Sequence, residues 1–187
     1  AFLDVFSPMG LGLSWEAYEE GYIGFDDRGA FRERFAQAGL AVDAQRIESL
    51  CEQKCAAYLG RLLAAPPDPF PGFYDLLDQV SALGPVAINT SAVRADIDPL
   101  LNQWGVGDRF SVITTADDVS LGKPDPAGYR LTVDRLRECF PERLFREERV
   151  LVLEDTPAGI QAALGAGLRV MGIGQSLPME ALHAAHG

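Results

Sequence analysis

Histidine is almost missing from this sequence. There are two, His183 and His186, and both fall in the last five residues. A Ser–His–Asp type of centre is therefore unexpected, and no G-x-S-x-G string is present to carry one. G-x-G-x-x-G and the full phosphate-loop motif are absent as well. Cysteine is sparse, with three in all. Cys51 and Cys55 lie four apart, on one face of a helix, and read as small apolar residues of a reducing compartment. No second cluster of ligands stands near them to hold a metal. Long apolar runs are missing too: none approaches the roughly 18 residues of a membrane span, and no signal peptide is visible. The expectation is a cytoplasmic protein with no membrane partner. Positive charge is the scarcer sign, with 16 Lys and Arg against 27 Asp and Glu and a net charge of −11. That disfavours non-specific binding to nucleic acid or anionic lipid, which needs a basic face. An anionic small substrate would need a local positive pocket.

The composition is that of a folded protein, because 48% of the 187 residues are hydrophobic. Residues 1 to about 64 read as helical. "SWEAYEEGYIG" has a Ser cap followed by spaced aromatics, "RGAFRERFAQAGL" sets Phe31 and Phe35 four apart before Gly39, and "DAQRIESLCEQKCAAYLGRLL" carries one long apolar stripe. Residues 65–72, "APPDPFPG", hold four prolines in eight positions and read as a linker. Beyond it the pattern changes. "FYDLLDQVSALG" reads as a helix, "PVAINT" as a strand, "AVRADIDPLLNQWGV" as a helix with a break or fresh start near Pro99, and "FSVITT" as a strand. "DPAGYRLTVDRLREC" follows as a helix, "RVLVLED" as a strand, "PAGIQAALGAG" as a helix and "LRVMGIG" as a strand. Strands alternating with helices predict an α/β fold, a doubly wound parallel sheet covered on both faces. Two units are expected, a helical one over 1–66 and the sheet-bearing one over 67–187.

In such sheets ligands sit beyond the carboxyl ends of the strands. Three segments qualify: Thr90 and Ser91 after the first strand, the "TTADDVSLGKPDP" loop with Lys123 after the second, and Glu154-Asp155 after the third. Two adjacent carboxylates repel, so a positive group is expected beside them. They are hard oxygen donors suited to Mg²⁺, although Asp155 could equally cap the helix that starts near Pro157. Lys123 could be an ordinary solvated lysine or, turned into the crevice, a neutralising partner that holds a phosphoryl oxygen. Thr90 could be a simple cap or, with the backbone N–H groups after it, part of a phosphate site. Together, metal, lysine and hydroxyl are what phosphoryl transfer requires.

"AINTSA", "DDVSLGKPDPAGY" and "VLVLEDTPAGIQAALGAG", in this order and at these intervals, resemble motifs two, three and four of the haloacid dehalogenase superfamily. The closest type is the phosphatase and beta-phosphoglucomutase-like branch, a Rossmann-like core with a small all-helical cap. The resemblance implies that Thr90, with Ser91, binds the phosphoryl group and that Lys123 steadies nucleophile and phosphate. It implies that Glu154 and Asp155 are the metal acids, with Asp155 the direct Mg²⁺ ligand. It further implies that "YIGFDDRGAFR" is a substrate loop in which Arg28 contacts a second anionic group. "KCAAY", with Lys54 and Tyr58, resembles another cap stretch near the active site.

One motif of that family is missing. Its Asp-x-Asp-Gly strand, which carries the nucleophile and the general acid, has no counterpart; Asp4 falls in a helical pattern with no strand before it. In the family this strand lies between the strands at 86–90 and 150–154, so the fold of these residues alone is expected to be marginal, and the strand is expected to belong to a longer protein. The expected activity is a Mg²⁺-dependent phosphatase acting on a small phosphorylated metabolite through a phospho-aspartyl intermediate. A beta-phosphoglucomutase-like sugar phosphomutase uses the same parts. A binding module that has kept the scaffold without its nucleophile is the alternative of another class. Substitution of Lys123 by Ala is expected to cost rate more than fold.

Overall fold

The computed structural model describes residues 1–143, 146 and 149–185. Its N-terminal part is helical: α1 (Phe2–Phe6), α2 (Trp15–Gly21), α3 (Asp27–Gln37) and α4 (Ala44–Ala64). The starts of the last three are set by side chains that accept a backbone N–H: Ser14 at 3.1 Å, Asp26 at 2.6 Å and Asp43 at 2.7 Å. Gly39, at φ +68°, turns the chain left-handed after α3, and the Leu40 N–H then bonds the Phe35 carbonyl at 2.9 Å. Phe6, Phe31, Ile47 and Leu50 interlock as one buried cluster within this part. Residues 66–70 have no regular structure, as the three prolines there require.

The remainder alternates: α5 (Phe73–Leu83), β1 (Ala87–Asn89), α6 (Arg94–Trp104), β2 (Val112–Thr114), α7 (Ala127–Cys139), β3 (Leu151–Glu154), α8 (Pro157–Gly165), β4 (Arg169–Gly172) and α9 (Met179–Ala184). All four strands fall in the segments expected. The Pro99 expectation does not hold, because α6 runs through that residue without a break. Pro99 withholds one bond from the Ala95 carbonyl. Ala95 is exposed, so that carbonyl has solvent within reach.

The described strands form two parallel pairs, β1–β2 and β3–β4, with no ladder between β1 and β3. Pairing Ile88 with Ile113 directs both toward the cluster of Leu77 and Leu101 from α5 and α6. The next pair, Asn89 and Thr114, faces α7, where both side chains meet Thr132. Helices thus cover both faces of β1–β2. On β3–β4, Val152 packs with Tyr129, Val133, Ala162 and Ala163 of α7 and α8. On the opposite face Leu151, Leu153 and Met171 are exposed, so the expected cover on both faces holds for one pair only. Contact between α7 and α8 fastens the two halves of the sheet together and brings the carboxyl ends of β1 and β3 to one rim. No described helix is long and apolar enough to cross a membrane.

Candidate active site

Lys123, in the loop between β2 and α7, reaches the last residues of β1 and β3, the two strands that share no ladder with each other. Its Nζ lies 2.9 Å from Glu154 Oε2 at the end of β3 and 3.4 Å from the Asn89 carbonyl oxygen at the end of β1. The lysine side chain is 11% exposed and the glutamate 7%. This pair is therefore withdrawn from solvent rather than lying on the surface. Tyr129 donates its hydroxyl to the same Oε2 at 2.7 Å and places its ring 5.2 Å from Nζ, while Thr156 donates to Oε1 at 2.8 Å. Burial pushes the Glu154 carboxyl up, but Lys123, Tyr129 and Thr156 outweigh it and hold the group below its ordinary value. The same burial, together with the Glu154 charge, raises the Tyr129 phenol far above its usual range, so it stays a donor.

The local fold explains how this fits. Thr156 caps α8, accepting from the Gly159 N–H at 3.1 Å, with Pro157 in the first turn. The cap is thus Thr156 and not Asp155. Gly159 itself has no Cβ, and the space a Cβ would take is occupied by the Glu154 side chain. Asp155, half-buried, accepts a hydrogen bond from Ser176. The paired acids therefore diverge: Glu154 turns inward to hold the lysine, and Asp155 faces the cavity described next.

That cavity, about 680 Å³, lies between the sheet rim and the N-terminal helices. Thr90, Ser91, Lys123, Glu154 and Asp155 line its floor. The Thr90 hydroxyl accepts from the Ala92 N–H at 3.1 Å, and Ser91 donates to the Gly24 carbonyl at 3.1 Å, tying the loop before α3 to the rim. Trp15, Tyr18 and Tyr58 wall the helical side.

The two residues expected from the helical part are placed differently from each other. Lys54 lines the cavity, but its Nζ is clamped 2.5 Å from Asp96 Oδ2 on α6 and 3.1 Å from Asp27 Oδ2 on α3. Burial lowers its pKa, and the two carboxylates more than reverse this, so the net shift is upward. Arg28 is not among the cavity's lining residues; it makes a forked pair with Glu48, at 2.6 and 2.9 Å. Asp96, Asp27, Tyr129 and Thr156 were missed by the sequence reading as site residues. Tyr129 and Thr156 stand inside the quoted motif strings, so a signal existed for them. Asp96 had none, since an Asp on a predicted helix reads as solvated.

Among the described residues no three of His, Cys, Asp and Glu group as a metal cage. Mg²⁺ is ordinarily held by only one or two carboxylates, with waters and substrate oxygens completing the sphere. Asp155 is the cavity-lining acid at this rim that Lys123 does not engage, and it fits that lean arrangement. Glu154, with both oxygens engaged by protein donors, would act one step removed.

A parallel α/β core with lysine, hydroxyls and acids on one rim defines a class of phosphoryl-handling enzymes. Residues 11–167 match the family described as hydrolase, haloacid dehalogenase-like hydrolase. The chain belongs to that family. It is 32% identical over 160 residues to validoxylamine A 7'-phosphate phosphatase of Streptomyces hygroscopicus subsp. limoneus, a match covering 82% of this chain and 69% of that protein. It is 29% identical over 179 residues to the protein CbbY of Rhodobacter capsulatus, covering 91% and 75%. Among solved structures, beta-phosphoglucomutase of Clostridium difficile superposes with a TM-score of 0.83 at 20% identity, over 97% of this chain and 78% of that one. At that identity the likeness concerns the fold alone.

Proposed function

We propose that the chain carries the phosphate-handling part of a Mg²⁺-dependent phosphoric monoester hydrolase acting on a small phosphorylated compound. The observation that carries this reading is the position of Lys123 Nζ, bridging the carboxyl ends of β1 and β3 on the floor of a cavity shared with Thr90 and Ser91. The phosphatase named above, a relative over most of this chain, supports it.

In this reading the Lys123 ammonium balances charge on the transferred group and the Thr90 hydroxyl donates to its oxygens, while Ser91 must first release the Gly24 carbonyl to do the same. Glu154 positions the lysine, itself held by Tyr129 and Thr156. The aromatic wall contributed by the N-terminal helices, acting as a cap, limits water at the reacting phosphorus. Asp155 would hold Mg²⁺, which when bound would neutralise charge on the phosphate oxygens. The phosphoryl group would pass from the ester oxygen to an aspartate carboxylate, the freed alkoxide taking a proton to leave as the alcohol, and water would then hydrolyse the acyl phosphate to inorganic phosphate. The one Asp-x-Asp string in the sequence, Asp96-Ile97-Asp98, lies on α6, so no residue of this chain is assigned that role.

The test is phosphate release from p-nitrophenyl phosphate by the full-length protein. Release should need Mg²⁺, stop with EDTA and return on adding Mg²⁺. Absence of release from this and from a panel of sugar phosphates, by protein shown to be folded, would overturn the reading.

A further inference from the structure

The two buried cations of the cavity, Lys54 and Lys123, are already spoken for. Among the described residues three cationic side chains line it: Lys54, Arg61 and Lys123. Lys123 is paired with Glu154, Arg61 with Asp4 at 2.7 Å, and Lys54 with two carboxylates at once. Lys123 and its hydroxyl neighbours remain at the phosphate floor, but the helical side differs. There Lys54, Asp27 and Asp96 sum to −1, with all three residues at most 8% exposed. Asp96 Oδ1 is buried with no hydrogen-bond partner among the described residues, and the 3.1 Å approach of Lys54 to Asp27 Oδ2 lacks hydrogen-bond alignment. Lys54 Nζ also lies 5.4 Å from the Phe2 ring centre and 5.5 Å from that of Tyr58, so ring faces take up more of its field. Arg28, the residue expected to meet a second anion, is spent on Glu48 outside the lining.

The same side is aromatic. Trp15 stacks on Tyr18 at 5.4 Å between ring centres and is 56% exposed, leaving a free indole face. An aromatic wall beside excess negative charge suits an uncharged ring or an amine, whereas a second phosphate or carboxylate would be desolvated with no unpaired cation to meet it.

We infer that this site selects phosphate monoesters whose non-phosphate end carries no negative charge, a polyhydroxylated or amine-bearing ring, and turns away bisphosphates and phosphorylated acids. The inference rests on the hydrolase reading above and narrows its substrate class.

A matched series tests it: glucose 6-phosphate, glucosamine 6-phosphate, 6-phosphogluconate and glucose 1,6-bisphosphate, each as kcat/KM with the full-length protein and Mg²⁺. The first two should exceed the last two by at least tenfold. Asp27→Asn, which frees part of the Lys54 charge, should narrow the ratio of glucose 6-phosphate to 6-phosphogluconate at least threefold. Asp96→Asn should do the same, and serves if Asp27→Asn does not fold. Each ratio is taken within one preparation, so a loss of active protein cancels. Equal or better turnover of the bisphosphate or the phosphogluconate by the unsubstituted protein overturns the inference by itself. So does a ratio unmoved by either substitution. No release from any ester, p-nitrophenyl phosphate included, sinks the hydrolase reading instead.

Discussion

Replacing Gly159 by alanine would set two physical effects of opposite sign against each other. Gly159 lies in the first turn of α8 with an ordinary helical backbone, and alanine at such a place normally stabilises by about 0.5–1 kcal/mol. Here the added Cβ would stand 2.5 Å from Glu154 Cγ, and nearer still to Cδ and Oε1. Glu154 cannot step aside freely. Its oxygens are fixed by Lys123, Tyr129 and Thr156, and its side chain is 7% exposed. Overpacking a tight interior costs about 1–3 kcal/mol. Displacing one partner of a buried ion pair costs about 3–5 kcal/mol, because the other charge is left uncompensated. The clash therefore wins, and Gly159→Ala should lose about 3–5 kcal/mol in urea unfolding, against an ordinary domain's stability of about 5–15 kcal/mol. Gly60→Ala, in α4 with nothing within 4 Å of the added carbon, is the control and should be neutral or slightly stabilised. Shortening the neighbour, as Gly159→Ala with Glu154→Asp, should recover part of the loss in a double-mutant cycle. If Gly159→Ala proves as stable as the unsubstituted protein, Glu154 does not occupy that space, and the assignment of Lys123 falls with it.

Lys123→Ala should destabilise by about 3–5 kcal/mol, since it strands the buried Glu154 carboxylate. This reverses the expectation from sequence that rate would suffer more than fold, and an unchanged urea midpoint would restore it. Tyr129→Phe removes a 2.7 Å bond to a charged acceptor and should cost about 1.5–3 kcal/mol in the same assay; a loss below about 0.5 kcal/mol would contradict the geometry. Asp155→Asn should leave the unfolding midpoint nearly unchanged while shifting the Mg²⁺ concentration for half-maximal release upward; unaltered Mg²⁺ dependence would remove Asp155 from the site. Asp118 is held at about 2 by Arg135, against burial, with help from Thr115. A depressed carboxylate stabilises the fold above its ordinary value of 3.8 and loses that contribution as pH falls toward about 2. Asp118→Asn should flatten stability against pH across that window, and an identical acid limb in both proteins would refute the pairing.

Much of the architecture was legible because it depends on local chemistry. The cap at Ser14, glycine after α3, the proline run at 66–71 and the short apolar strands act over a few residues, and the sequence displays them directly; the cap of α8, read as Asp155, is Thr156. Thr90, Ser91, Lys123, Glu154 and Asp155 were legible for a second reason, since each ends or follows a strand and parallel strands end on one side. Arg28 and Lys54 were less so. A long basic side chain on a helix can turn to whichever acid lies nearest, and nothing in the chain order shows that Glu48 stands beside one and Asp96 beside the other. The resemblance offered Asp155 as the direct metal ligand, but the inward turn of Glu154 to Lys123 was hidden, because it depends on Tyr129 and on the missing Cβ at Gly159.

The sequence by itself determined the order of elements, the parallel sheet and the rim on which phosphate chemistry can gather, because periodicity, capping and turn residues act along the chain. Tertiary structure alone decided which charges remain free. That is set by distances between residues far apart in the chain: Lys54 and Asp96, Lys123 and Glu154, Arg28 and Glu48. An ion pair takes its strength from separation and burial in space, and neither quantity is written in the order of the residues.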